Sequence, residues 1–171
     1  MGAWFPAYEG TPKGAITLAQ LSSMTHGLPN DSACIDDRTT ALALCAEEIL
    51  ALPLASTPGS TFDYGGTGLQ VAVRMVELAT GSTWDELFSV NLAGPLGLTT
   101  VDFSVAPSAN PQVAGGAVAT ASDYDRFLEM VEGGGVFRGI EVLSPVAFDA
   151  MGTNYARGLP SGNNPFPTSA G

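Results

Sequence analysis

The sequence predicts a mostly helical fold, a helical lobe with one short β-hairpin, in a single domain of 171 residues. Three observations predict it. Apolar residues recur at spacings of three and four in several segments, which is the period of one α-helix face. No long run alternates polar and apolar residues, so the sequence offers no larger sheet of its own. Glycine and proline number 21 and 12, enough to separate short elements by turns.

Six helices are predicted from the periodic runs, at about residues 15–21, 40–52, 69–80, 84–93, 120–132 and 144–151. Polar side chains that can accept hydrogen bonds from first-turn N–H groups mark several starts. Thr17 is the candidate cap of the first helix, and Thr39 or Thr40 of the second. Ser144 followed by Pro145 opens the last helix.

Two further helix starts have the spacing of a capping box, at 82–85 and 120–123. Gly81 is the predicted stop of the third helix. Arg138-Gly139 lies between two short apolar runs, which predicts a hairpin. The periodicity directs these side chains of the fourth and fifth helices toward the core: Trp84, Leu87, Val90, Tyr124, Phe127, Leu128 and Val131.

Composition excludes several classes of partner. The formal net charge is −11, which disfavours nucleic acid and anionic membranes because both require a basic face. No run approaches 18 apolar residues, so no transmembrane helix is predicted. The first ten residues lack the pattern of a signal peptide. Trp4 and Phe5 are expected to be exposed, as groups that would pack on chain outside this sequence.

The two cysteines, Cys34 and Cys45, allow two interpretations. They can form a disulfide that closes a small loop, which would indicate an oxidising compartment. They can equally be two free, buried thiols, and the sequence leaves this choice open. No metal site and no cofactor are predicted, because zinc requires three or four protein ligands and His26 is the single histidine.

The segment PGSTFDYGGTG, residues 58–68, precedes the third helix and presents Tyr64 beside a glycine turn. Such a turn can display the phenol for chemistry, or the ring can be a buried anchor for the helix. No phosphate loop is present, since no lysine follows and Val71 replaces the last glycine of a dinucleotide fingerprint. His26 is expected to be a solvated loop residue, and Arg74 with Glu77 a helix-surface pair.

Three sequence blocks occur in a fixed order between about residues 15 and 151. The first is ITLAQLSSMTHGLP, the second runs from PGSTFDYGGTG to PLGLTTVDF, and the third combines GGAVATASDYDRF with VLSP. They resemble the L-L-x-H-T-S-G-L-P, P-G-x-x-F-x-Y-S-N and G-G-L-x-S-T-A-x-D-L-A-R-F blocks of the serine β-lactamase and penicillin-binding-protein superfamily. Class C β-lactamases and their esterase and DD-peptidase relatives are the most similar branch.

This resemblance implies a partial β-lactamase/transpeptidase-like α/β fold. It places Tyr64 on the family's catalytic tyrosine, a general base toward the nucleophilic serine. Gly65 and Gly66 would shape its loop, with Gly66 where the motif usually has asparagine, and Gly115 and Gly116 would border the substrate cleft. The family's Ser-x-x-Lys nucleophile motif has no counterpart, since Lys13 is the single lysine and no serine lies three positions before it.

The chain is therefore expected to be one incomplete domain, with a family-like lobe at 15–151 and an irregular tail at 152–171. The implied parent is a serine hydrolase that transfers the acyl group of a β-lactam, a peptidoglycan-type amide or a small ester. By the same resemblance it would be periplasmic or secreted, and the chain alone would be inactive. The alternative is a non-catalytic helical binding domain on the same scaffold.

Overall fold

A computed structural model describes residues 1–103 and 109–165. Within these residues the α-helices are α1 (Leu18–Ser22), α2 (Leu42–Ala51), α3 (Thr67–Thr80), α4 (Trp84–Phe88), α5 (Gly94–Leu96), α6 (Ala121–Glu132) and α7 (Pro145–Gly152). Two 3-10 turns lie at Pro6–Tyr8 and Ala33–Ile35, and a π-helical segment, Ser89–Ala93, joins α4 to α5. The prediction of a mostly helical chain is confirmed.

A single hairpin provides the described sheet. Strands β1 (Val136–Phe137) and β2 (Ile140–Glu141) are antiparallel, with Val136 opposite Glu141 and Phe137 opposite Ile140. Arg138 and Gly139 both have positive φ, 48° and 85°, as a two-residue hairpin turn requires. The hairpin predicted around these two residues is confirmed.

Two apolar clusters hold the lobe together. The larger one lies where α1 and α2 pack on α3, and it includes Ile16, Leu21, Ile49 and Val71, each fully buried. The smaller one consists of Leu96, Met130 and Phe137, with partly buried residues of α6 and the hairpin around it. The segment that carries Tyr64 leads directly into α3 and thus into the larger cluster.

The helix starts follow the sequence closely. Thr17 and Gln20 form a capping box at α1, and Ser144 accepts a hydrogen bond from the Ala147 N–H at α7. The capping box of α4 is Thr83 with Glu86, one residue later than predicted. Gly81, with φ of 74°, ends α3 as predicted.

The prediction that Thr39 or Thr40 caps α2 is wrong. Ala41 is the N-cap residue and makes no side-chain cap. The two threonine hydroxyls instead each donate to the Asp37 carboxylate at 2.7 Å. The hydroxyl of Thr39, followed by that of Thr40, lowers the pKa of Asp37 to about 2.

Some predicted inward-facing side chains are exposed. Val90 lies in the π-helical segment, whose different period turns its side chain outward, and it is 71% exposed. Tyr124 and Leu128 are also exposed, because α6 contacts α5 and the hairpin through the face that carries Met130. Phe5 was expected at the surface but is buried in the larger cluster.

Candidate active site around Tyr64

The backbone of Phe62, Asp63 and Tyr64 is held from two sides. On one side the Asp63 N–H donates to the carbonyl of Met24 at 2.9 Å. On the other side the Phe62 N–H donates to the Pro160 carbonyl at 3.0 Å, and the Tyr64 N–H donates to the Asn163 carbonyl at 2.8 Å. The Tyr64 segment therefore lies between the turn after α1 and the part of the tail at residues 160–163.

Tyr64 itself is 38% exposed, although it directly precedes the glycine turn and the buried start of α3. Of the two interpretations of Tyr64, the structure agrees with a side chain exposed at the surface. It does not agree with a buried ring that anchors the helix. A phenol on a fixed backbone with access to solvent can exchange a proton with a bound molecule.

Gly65 and Gly66 are required by close packing, not by positive φ. A β-carbon on Gly65 would overlap the carbonyl of Asn30, so two backbones touch at this point. The Gly66 N–H donates to the same carbonyl at 3.2 Å. A β-carbon on Gly66 would lie 2.9 Å from the Ala114 β-carbon and 3.3 Å from Cδ1 of Ile35. An asparagine side chain has no space at this position.

The second glycine pair lies in the neighbouring turn. Ala114, which contacts Gly66, directly precedes Gly115 and Gly116. A β-carbon on Gly116 would lie 2.6 Å from the carbonyl oxygen of Phe103, whereas one on Gly115 would meet open space. The structure thus brings the 65–66 and 114–116 turns together. Within the second turn, Gly115 is the glycine that borders open space.

His26 is buried, so the prediction of a solvated loop residue is wrong. Its side chain is 0% exposed, and Nδ1 accepts a hydrogen bond from the Leu28 N–H at 3.0 Å. Nε2 is buried without a hydrogen-bond partner within the described residues. Burial lowers the pKa of His26 to about 4, while the charge of Asp63 acts in the opposite direction. Periodicity carries no burial signal at this position, because the residue lies in a turn.

Lys13, the single lysine, is engaged at the end of α2. Its ammonium donates to the carbonyls of Leu50 and Leu52 at 2.6 and 2.5 Å, and it lies 5.4 Å from the centroid of the Tyr8 ring. A cation at the C-terminal end of a helix complements the helix dipole. In this structure the Lys13 ammonium therefore binds the carbonyl end of α2.

A disulfide joins Cys34 and Cys45. The loop it closes contacts the Tyr64 region, because Ile35 is the residue that packs against Gly66. A buried amide pair links the loop to α3: Asn110 donates to the Cys34 carbonyl at 2.6 Å, and Gln70 donates to Oδ1 of Asn110 at 2.8 Å. The predicted Arg74–Glu77 pair forms on α3, with an N–O distance of 3.0 Å.

A groove of about 520 Å³ separates α1 from α7. Leu18 and Ser23 line one side, and Met151 and Tyr155 line the other. The carbonyl of Met24, next to Ser23, accepts the hydrogen bond of the Asp63 N–H, so the groove and the Tyr64 segment border the same turn.

Among the residues that the structure describes, no cluster of His, Cys, Asp and Glu side chains could hold a metal ion. Within the same residues, no helix is long and apolar enough to cross a membrane.

Comparisons with known proteins agree with this architecture. A candidate β-lactamase from Bacteroides dorei DSM 17855 is 34% identical, with a TM-score of 0.85 over 95% of this chain and 50% of that one. A penicillin-binding protein homologue from Caulobacter crescentus is 18% identical, with a TM-score of 0.62 over 86% of this chain and 52% of that one. The β-lactamase/D-alanine carboxypeptidase from Yersinia pestis, also 18% identical, has a TM-score of 0.57 over 68% and 39%.

This chain spans about half the length of the Bacteroides protein. No curated protein sequence gave a significant match. The family model described as Beta-lactamase matches residues 2–165, which is nearly the whole chain. The fold, the order of the helices and this match establish that the chain belongs to the β-lactamase family, and that its architecture is a partial β-lactamase-like fold.

Proposed function

We propose that this chain is the tyrosine-bearing helical lobe of a serine hydrolase that works by acyl transfer, and that Tyr64 is its general base. The observation that carries the proposal is the presentation of Tyr64. The residue is 38% exposed, while its backbone N–H and carbonyl are both held by Asn163 in the 160–163 segment. Catalytic groups need this combination of access and fixed position.

The reaction has two steps. Tyr64 Oη accepts the proton of the nucleophilic serine as its Oγ attacks the substrate carbonyl, and the same proton passes to the leaving amine or alkoxide. Water then attacks the acyl-serine and gives one proton to Tyr64 Oη, which passes it to the departing serine Oγ as the acid is released. The substrate would be a β-lactam, a peptidoglycan-type amide or a small ester. The turns at Gly65, Gly66, Gly115 and Gly116 would form part of the wall of its cleft.

The chain by itself should be inactive. It contains no serine followed three residues later by lysine. A phenol acts as a base only where a nearby cation favours its ionised form. Lys13, the single lysine, is bound to the end of α2. The nucleophile and its activating cation would have to come from chain beyond these 171 residues.

The experiment is hydrolysis of a chromogenic β-lactam and of a short-chain nitrophenyl ester by the complete protein. Tyr64→Phe should lower kcat/KM by roughly 100-fold, the usual scale for a general base. Tyr124→Phe is the matched control, because Tyr124 is an exposed residue of α6. An unchanged rate in Tyr64→Phe would remove this residue from the mechanism.

A second candidate is a non-catalytic binding domain, and the missing Ser-x-x-Lys motif favours it. The intact mass of the protein isolated from its native cells distinguishes the hydrolase from the binding domain. A larger mass, with a Ser-x-x-Lys motif upstream in the reading frame, supports the hydrolase, whereas a chain that starts at Met1 supports the binding domain. A periplasmic or secreted location is part of the first proposal, and the Cys34–Cys45 disulfide supports it.

A further inference from the structure

We propose that Asn163 is a positioning residue for Tyr64. This inference rests on the proposed function, since it assumes that the phenol takes part in proton transfer. Asn163 lies in the segment 152–171, which the sequence predicts to be irregular. It is 99 residues from Tyr64 along the chain. Neither its residue type nor its spacing suggests a role, and only the fold brings the two residues together.

Asn163 contacts the tyrosine segment at three points. Its carbonyl accepts the hydrogen bond of the Tyr64 N–H at 2.8 Å, and its side-chain Nδ2 donates to the Tyr64 carbonyl at 3.0 Å. Its own N–H donates to Oδ1 of Asp63 at 2.6 Å. One residue therefore satisfies both backbone polar groups of the tyrosine and fixes the residue before it.

The neighbours of Tyr64 in this segment have other hydrogen-bond partners as well. Asp63 is held by Met24 and Phe62 by Pro160, and the glycine turn that follows is held by the Asn30 carbonyl. The backbone of Tyr64 itself is held by Asn163 on both of its polar groups. Because Tyr64 precedes two residues without side chains, the two hydrogen bonds from Asn163 restrict rotation of its peptide groups at a point where the chain is otherwise permissive.

Loss of the Asn163 amide should act on the rate more than on binding. The Tyr64 carbonyl would lose its side-chain donor, while the backbone bond from the Tyr64 N–H would remain. The segment would stay in place, but the orientation of the Tyr64 side chain would vary more. Proton transfer is sensitive to such displacement, because an error of about 1 Å in a reacting group can lower a rate by about two orders of magnitude. Substrate affinity does not depend on this direction in the same way.

The kinetic test uses the complete protein and the substrates named above. Asn163→Ala should lower kcat by roughly tenfold and change KM less than twofold, an effect smaller than that of removing the general base itself. Asn163→Gln retains an amide donor and should recover part of the loss. Asn154→Ala is the matched control, since within residues 1–103 and 109–165 the Asn154 side chain accepts a local bond, from the Ala156 N–H. A kcat for Asn163→Ala equal to that of the wild type, in a protein that Tyr64→Phe inactivates, would overturn the proposal.

A spectroscopic test on the complete protein separates the inference from the proposed function. With 3-fluorotyrosine in place of tyrosine, the 19F signal of Tyr64 is the one that Tyr64→Phe removes. Asn163→Ala should shift or broaden this signal, and Asn154→Ala should not. An unchanged Tyr64 signal overturns the positioning role whatever the protein hydrolyses. If Asn163→Ala does not fold, as judged by circular dichroism, Asn163→Ser repeats the comparison with a shorter side chain.

Discussion

His26 and Gly68 are in direct contact, with the imidazole packed on the first turn of α3. A β-carbon on Gly68 would overlap ring atoms Cδ2 and Nε2 and would lie 2.7 Å from the carbonyl oxygen of Leu21. Both residues are buried, and Gly68 follows Gly66 of the Tyr64 turn by two residues. The absence of a side chain on Gly68 is thus what allows the turn after α1 to lie against α3.

Gly68→Ala should destabilise the chain. The added methyl group must displace a buried ring and a backbone carbonyl, and overpacking of this kind costs roughly 1–3 kcal/mol. The measurement is urea unfolding followed by circular dichroism. Gly152→Ala is the control, because a β-carbon at the end of α7 would meet no atom within 4 Å. Equal stability of the two variants would show that the region around His26 and Gly68 has room for a methyl group.

Stability should rise with pH between about 4 and 6.5, because of His26. Burial lowers its folded-state pKa to about 4 from an unfolded value of 6.5, so in this window the unfolded chain binds a proton that the folded chain does not. The contribution is fully present above pH 6.5 and is lost as the pH falls toward 4. Its size is on the order of 3 kcal/mol, from 1.36 kcal/mol per pKa unit.

His26→Asn isolates this contribution. The asparagine side chain can still accept the hydrogen bond of the Leu28 N–H but does not titrate. Urea unfolding at pH 5 and at pH 7 should show a smaller difference in the variant than in the wild type. The same difference in both proteins would assign the pH dependence to other groups.

Removal of the disulfide should lower the unfolding free energy. The bond joins residues 11 positions apart, and closing a loop of this length in the unfolded chain contributes about 3 kcal/mol. The double variant Cys34→Ala/Cys45→Ala, measured by urea unfolding, should lose about this amount. Reductant should destabilise the wild type and leave the double variant unchanged. Two alkylatable thiols in the unreduced wild type would contradict the disulfide.

Asp123→Asn should destabilise the start of α6. Oδ2 of Asp123 accepts bonds from the Thr99 and Thr100 N–H groups and from the Thr100 hydroxyl, and these contacts, the hydroxyl first, lower its pKa. A lowered carboxyl pKa means that this stability is present above the unfolded pKa and is lost as the pH falls. The melting temperature should fall more in Asp123→Asn than in Asp125→Asn, whose side chain is exposed. Similar melting temperatures of the two variants would show that the hydrogen bonds of Asp123 contribute little to stability.

The local features of this chain could be predicted because they depend on neighbours in sequence. The Thr17 cap, the Gly81 stop and the Arg138-Gly139 turn each follow from the conformational preferences of a few adjacent residues. The α2 cap was missed because Asp37 competes for the hydroxyls of Thr39 and Thr40. Such competition depends on the conformation of the loop before α2, which places the Asp37 carboxylate beside the two hydroxyls.

The faces of the helices were predicted less well. A period of 3.6 residues directs Val90 inward, but the π-helical segment changes the period at that point. Tyr124 and Leu128 are apolar and correctly spaced, yet they are exposed because α6 packs through another face. Periodicity shows that a helix has an apolar face, whereas the neighbouring elements determine which part of it is covered.

The sequence by itself determined the helical class, most element boundaries and, through its ordered blocks, the β-lactamase family. These properties depend on residue type and short spacing, which a linear chain already contains. Only the tertiary structure decided that His26 is buried against Gly68, that Cys34 bonds Cys45, and that Asn163 holds Tyr64. Each of these contacts joins distant parts of the chain, and close packing in three dimensions selects one partner among many that the sequence allows.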